Sequence, residues 1–336
     1  MEDLWADQAV EDDIFVYTGG QAPQHVKNVI VDRSVKEIEE HAFGLCPNLQ
    51  YVVFHRGVLR VKRWAFSASK LTQIHMPGVQ VIETYAFVGC QALRNVTMPS
   101  VRILGEKAFH GCKSIELLDL PRLEETSFRT FEGCLSLRQI TMPLIKTIGD
   151  GTFCGCEQLE ELDLPVILER IGIDAAMRCM NLRRIAIPLK SDMLCSVVYN
   201  DYSERYCQFD DCGRLTTVDL VGGIHQTVSS LLLECWRDEM REEINRINLI
   251  LPNSTGDKSL IIQTWIESLI KRIESYKVGH QNILKWATHV LELALWKVKI
   301  DENEEEGDDL FTRNEIRVKS GSSAVIRNVL PFLRLA

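Results

Sequence analysis

The sequence predicts an α/β fold: a repeat solenoid of about eight coils, each of ~22 residues, with a parallel sheet on its concave face and a C-terminal helical hairpin. Three observations predict it. One 22-residue pattern is written four times between Val81 and Pro165. After Gly222-Gly223 the apolar spacing changes to steps of three and four. The composition, 46% apolar and 25% charged, is that of a chain with a continuous core.

The pattern is Ala86-Phe87-x-x-Cys90-x-x-Leu93-x-x-Val96-x-Met98-Pro99. It recurs from Ala108-Phe109 to Pro121, from Thr130-Phe131 to Pro143 and from Thr152-Phe153 to Pro165. Earlier copies start at Ala42-Phe43 and Ala65-Phe66, where Ser69 takes the cysteine slot. Later copies start at Ala175-Ala176, which lacks the phenylalanine, and at Phe209. Between those two the spacing stretches to 33 residues, and the excess falls on Lys190–Gln208. An insertion of this kind maps to a loop on one face. A period in this range with Leu-x-x-Leu-x-Leu character marks a leucine-rich-repeat solenoid.

Each slot has a physical role. Leu93, Val96 and Met98 alternate along a short inward-facing strand, and Pro99 removes a backbone donor and ends it. Val101–Leu104 is expected to turn onto the convex side, and Glu106–Gly111 to form a short helical turn that drops Phe109 into the core. One coil cannot bury its own apolar face, so the neighbouring coils supply the walls. Phe43, Phe66, Phe87, Phe109, Phe131 and Phe153 are the expected core spine. Cys46, Cys90, Cys112, Cys134, Cys156, Cys179 and Cys212 share one slot. They are expected to be buried and reduced, since a free thiol there behaves as a small hydrophobe. The remaining four cysteines fall off this ladder. Without a Cys-x-x-Cys pair or finger spacing, no zinc site is expected.

The repeat resembles that of the BspA-type leucine-rich repeat family, Ile-Gly-x-x-Ala-Phe-x-x-Cys-x-x-Leu-x-x-Val-x-Ile-Pro. The resemblance covers about residues 26–221. It implies a right-handed curved solenoid with a parallel sheet on the concave side. Members of the family include bacterial surface adhesins and large sets in microbial eukaryotes.

Around the solenoid, residues 1–25 are expected to cap its open end through Trp5 and the strand at Ile14–Tyr17. Residues 26–223 form the solenoid. Residues 224–300 form the hairpin. Val228, Leu232, Trp236, Met240, Ile244, Ile247 and Leu251 lie on one stripe of its first helix. Ile262, Ile266, Leu269, Ile273, Tyr276, His280, Ile283, Ala287, Val290 and Ala294 form a heptad seam on the second, with Gly279 a potential kink. His280 is expected to set register there. Residues 301–309 carry seven acidic residues in nine and read as a solvated linker. Residues 310–336 form a tail with a short helix at Ser322–Leu330.

The net charge of −9 argues against a nucleic-acid or anionic-membrane partner, since both need a basic surface. The acidic N-terminus lacks a signal-peptide pattern, and no apolar run reaches membrane-spanning length, so a cytoplasmic or nuclear location is expected. Catalytic motifs are missing: there is no phosphate loop, dinucleotide fingerprint, His-Glu-x-x-His or nucleophile elbow. Asp119 and Asp163 would sit two coils, about 10 Å, apart, which alone defines no acid–base chemistry. Neither catalytic residues, metal ligands nor a cofactor are expected.

What remains is binding. The strand residues flanking the middle apolar slot face solvent on the concave side. They give Tyr51, Gln73, His75, Asn95, Thr97, Asp119, Gln139, Thr141, Glu161, Asp163 and Arg184 as partner-binding candidates. The rows are neutral to acidic, so a basic peptide or protein segment is the expected ligand. The predicted function is thus a non-catalytic protein–protein interaction module. Cell-surface adhesion, and a structural role through self-association of residues 258–300, are the alternatives.

Overall fold

The computed structural model describes residues 14–304, apart from 192, 195–196, 199–204 and 255–257. Trp5, the tail with its helix at Ser322–Leu330, and Tyr199, Asp201, Tyr202 and Glu204 of the insertion lie outside the described residues.

The 22-residue period becomes a strand register. Gln73 pairs with Asn95, Leu117 with Gln139, and Glu161 with Arg184, all parallel. Each slot therefore stacks on its own copy. The strands Ile14–Tyr17, Asn28–Val31, Tyr51–Val53, Gln73–His75 and Asn95–Thr97 form one ladder. Leu117–Asp119 and Gln139–Thr141 follow, then Glu161–Asp163, Arg184–Pro188 and Thr217–Val221. In the regular three-residue strands the middle residue points inward.

A second parallel sheet replaces the expected convex turn. It has seven strands of two residues each, from Glu37–Ile38 to Arg170–Ile171. Each contributes one buried side chain, such as Val61, Ile82 or Leu104. Two residues are too few to show alternation, so the sequence carries no strand signal there. Seven such strands make seven complete turns. In the eighth coil the insertion interrupts the pattern, and Leu194 makes only an isolated bridge to Ile171.

The expected helical turn at Glu106–Gly111 is instead a run of turns bonded between coils. Lys107, Phe109 and Gly111 donate their N–H groups to Phe128, Thr130 and Glu132 of the next coil, at 2.8–2.9 Å. The carbonyls of Glu106, Ala108 and His110 accept from Tyr85, Phe87 and Gly89 of the coil before. Three peptide units per coil are thus aligned along the axis, donors toward the C-terminal end. This geometry puts Trp64 and Tyr85 at φ near +58°, a left-handed conformation costly for bulky side chains. Their rings stack at 4.3 Å and offset part of that cost.

The core is the repeated interior. Tyr17 starts an aromatic stack that continues through Phe43, Phe66, Phe87, Phe109, Phe131 and Phe153, with centroids 4.8–5.9 Å apart. The ladder cysteines lie beside it, buried. Cys112, Cys134, Cys156 and Cys179 each donate S–H to the phenylalanine carbonyl of the coil before, at 3.2–3.3 Å. Burial pushes the thiols of Cys112, Cys134, Cys156, Cys179 and Cys212 up, to about 12 for Cys134 and Cys212, whereas Cys90, buried but hydrogen-bonded by Cys112 and Ser69, is lowered.

The C-terminal part holds α1 (Ile224–Ser229), α2 (Glu234–Ile250) and α3 (Lys258–Glu304). The single helix expected from Val228 is interrupted at residues 230–233, between α1 and α2. The chain divides into two compact units, and α2 and α3 each belong partly to both. In the first unit, which contains the solenoid with residues 239–270, the helices satisfy its last coil. Ser259 Oγ accepts from the Phe209 N–H at 3.0 Å. Asn248 Oδ1 accepts from the Val218 N–H at 2.8 Å. Lys258 donates to the carbonyls of Gly213 and Leu215. Glu243 is buried against α3, where it accepts from Ser268, and its carbonyl accepts from Trp265.

The second unit comprises residues 229–238 and 271–336. There Trp236 stacks on Tyr276 at 4.9 Å. α3 is unbroken at Gly279, and the glycine makes room for the Trp236 ring, which a Cβ would meet at 2.9 Å. Burial along the seam fades beyond Tyr276. The helix continues to Glu304, four residues into the segment expected as a linker.

Candidate functional site

Solvent-facing residues of the concave strands are set by the pleat. Where the middle residue is buried, its two neighbours must point out. Tyr51, His75, Asn95, Thr97, Asp119, Gln139, Thr141, Glu161 and Asp163 are exposed, and Gln73 and Arg184 are half-buried. Strand pairing aligns Tyr51's row with Asn28 and aligns Val53 with His75. The predicted residues therefore share one face.

A closer grouping forms toward the C-terminal end of this face. Arg184 Nη1 donates to Asp163 at 2.8 Å and to Glu161 at 3.1 Å, while its Nε donates to Asp219 at 2.6 Å. The Asp219 bond is the main cause that raises the guanidinium pKa. One cation thus faces three carboxylates. Beside it lies a groove of about 650 Å³, lined among others by Leu117, Arg138, Gln139, Thr141, Glu161 and Asp163. Asp219 occupies the same solvent-facing row, in register with Ala186, although it is not among the predicted partner-binding residues. Leu117, 61% exposed, is an apolar member of the same face outside the predicted partner-binding residues.

The second sheet differs in its charge balance. Glu124 lies between Lys146 and Arg102, which hold its carboxyl below the usual range. Arg60 pairs with both Glu37 and Glu83. Charges there are matched from coil to coil, whereas the concave face leaves carboxylates in excess. Such a face suits a cationic ligand by charge complementarity.

At the other end of the concave face the side chains are apolar. Ile14, Val16, Ile30, Tyr51 and Val53 are 39–52% exposed on neighbouring strands. The first two strands precede the first full repeat, so Ile14, Val16 and Ile30 escaped a reading based on repeat slots. Their alternation, Ile14-x-Val16, was the signal that could have found them.

Among the described residues, no group of His, Cys, Asp or Glu could hold a metal ion. No described helix is long and apolar enough to cross a membrane.

The sequence matches the family model described as BspA type leucine rich repeat region, in six copies over residues 22–122, 80–204 and 124–239. No curated protein matches it. Three solved structures are similar to the chain. A leucine rich cell surface protein from Faecalibacterium prausnitzii is 23% identical, covering 59% of this chain and 60% of its own, with a TM-score of 0.37. A leucine-rich repeat protein from Bacteroides ovatus is 22% identical over 58% and 61%, with a TM-score of 0.40. The leucine rich repeat protein of T. pallidum is 22% identical over 60% and 90%, with a TM-score of 0.41. The chain spans less than two thirds of the first two.

Proposed function

The chain belongs to the BspA type leucine-rich repeat family, and from that premise we propose that it is a non-catalytic binding module that takes a basic peptide or protein segment on its concave face. One observation carries the reading: three carboxylates around a single guanidinium, beside a groove that the neighbouring strands form. Their excess negative charge is uncompensated on that face, unlike the matched pairs of the second sheet. A cytoplasmic or nuclear location belongs to this reading.

The test is fluorescence-anisotropy titration of the full chain with an arginine-rich decapeptide. The variant Asn95→Arg/Gln139→Arg/Asp163→Lys is expected to lose binding with an unchanged circular-dichroism spectrum. Equal binding by the variant would refute a concave site.

A second reading is favoured by α3. Trp286, Val290 and Leu293 are 42–68% exposed on one stripe of the helix. Self-association through residues 258–300 would bury them. Light scattering of the intact chain distinguishes a dimer from a monomer.

A further inference from the structure

The concave face carries two different chemistries along its length, and together they specify its partner more narrowly than charge does. The first three strands present Ile14, Val16, Ile30, Tyr51 and Val53, all substantially exposed. Val16, Ile30 and Val53 are successive partners in register, so three aliphatic side chains form one continuous row. No charged residue interrupts these positions. A contiguous apolar patch of this kind on a polar surface marks an interaction site. Next come Gln73, His75, Asn95 and Thr97. Beyond them lie Asp119, Glu161 and Asp163.

The spacing of the two ends is fixed by the ladder. Six strand steps separate Ile30 from Asp163, about 29 Å at the ~4.8 Å interstrand distance. An extended peptide covers that span with about nine residues at ~3.3 Å each. A basic segment alone would leave the aliphatic row wet, and an apolar segment alone would leave the carboxylates in excess over Arg184.

We propose that the ligand is a bipartite segment of another protein: an aliphatic or aromatic group over the Ile14–Val53 end, and Lys or Arg about nine residues away over Asp119, Glu161 and Asp163. This inference rests on the binding function proposed above and adds the apolar half and the spacing. Apolar contact supplies affinity at the first end, and charge complementarity supplies register at the second.

The experiment pans a display library of random 16-residue peptides on the full chain, then synthesises the enriched consensus peptide. The expected consensus has an apolar cluster and a basic cluster about nine residues apart. Val53→Lys and Asp163→Lys should each weaken that peptide by about tenfold or more, as should deleting either half. Tyr51→Ser is a second, milder variant for the apolar end. Purely basic peptides that bind wild type and Val53→Lys equally would overturn the bipartite inference and leave the binding function standing. Peptides indifferent to Asp163→Lys, or no enrichment, would overturn both. Enrichment of the apolar cluster only after removal of residues 1–13 would assign that end to this chain's own N-terminal segment, and overturn the inference there.

Discussion

The interior of the solenoid and its concave face are built by the same strands and follow opposite rules. Inside, the regular coils repeat their neighbours: phenylalanine on phenylalanine, thiol beside thiol. On the concave face, one row changes from Tyr51 through Asn95 to Glu161. Stacking explains the difference. A buried slot has the same slot above and below it, so one side chain that packs well on itself is the best choice in every coil. An outward residue meets solvent, and its identity is left free for a partner. Uniformity in this chain therefore marks stability, and variation marks recognition.

Substitutions should separate the two rules. The largest effect is expected at Phe109→Ala, where the interior loses a ring stacked on both sides. Denaturant titration should show a loss of about 3–5 kcal/mol. A loss as small as that of a surface variant would break the comparison.

Capping comes next. Ser259→Ala removes the acceptor of the Phe209 N–H and leaves a buried donor unpaired. A loss of about 1–3 kcal/mol is expected by the same titration. No change would show that the last coil finds another partner for that group.

The thiol ladder predicts a pH effect of its own. Cys134 and Cys212 have folded pKa values of about 12 against an ordinary value of 9.0. A raised folded pKa contributes stability that is fully present below the unfolded value and is lost as pH rises through the folded one. Stability should thus fall between about pH 9 and 12. Cys134→Ser should flatten that slope, as measured by melting temperature against pH.

The smallest stability effect is expected on the concave face. Asn95→Arg/Gln139→Arg/Asp163→Lys should change stability by about 0.5 kcal/mol or less while abolishing capture of the arginine-rich peptide. A large destabilisation would show that this face also carries the fold.

Legibility in the sequence follows the same division. Phe87, Cys90, Leu93 and Pro99 announce the coil because each has one role and recurs at one spacing. The second sheet was illegible because Val81-Ile82 and Ile103-Leu104 are too short to show a period. The turn ladder was misread as a helical turn because Trp64 and Tyr85 hold left-handed positions without a glycine to mark them. On the concave face the rows, Asp219 included, could be placed from the slots, yet which carboxylates Arg184 holds depends on side-chain geometry that no spacing encodes. The apolar end was missed because Ile14 and Ile30 lie before the first full copy.

The aligned peptide units have a genetic consequence. Each coil shows acceptors to its predecessor and donors to its successor, and every regular coil shows the same set. Duplicating or deleting 22 residues between Val81 and Pro165 would reproduce both faces of the joint and leave Tyr17 and Ser259 at the two ends. The length of the recognition surface can thus drift by unequal crossing-over without passing through an unfolded ancestor, while each new coil brings outward positions free to diverge.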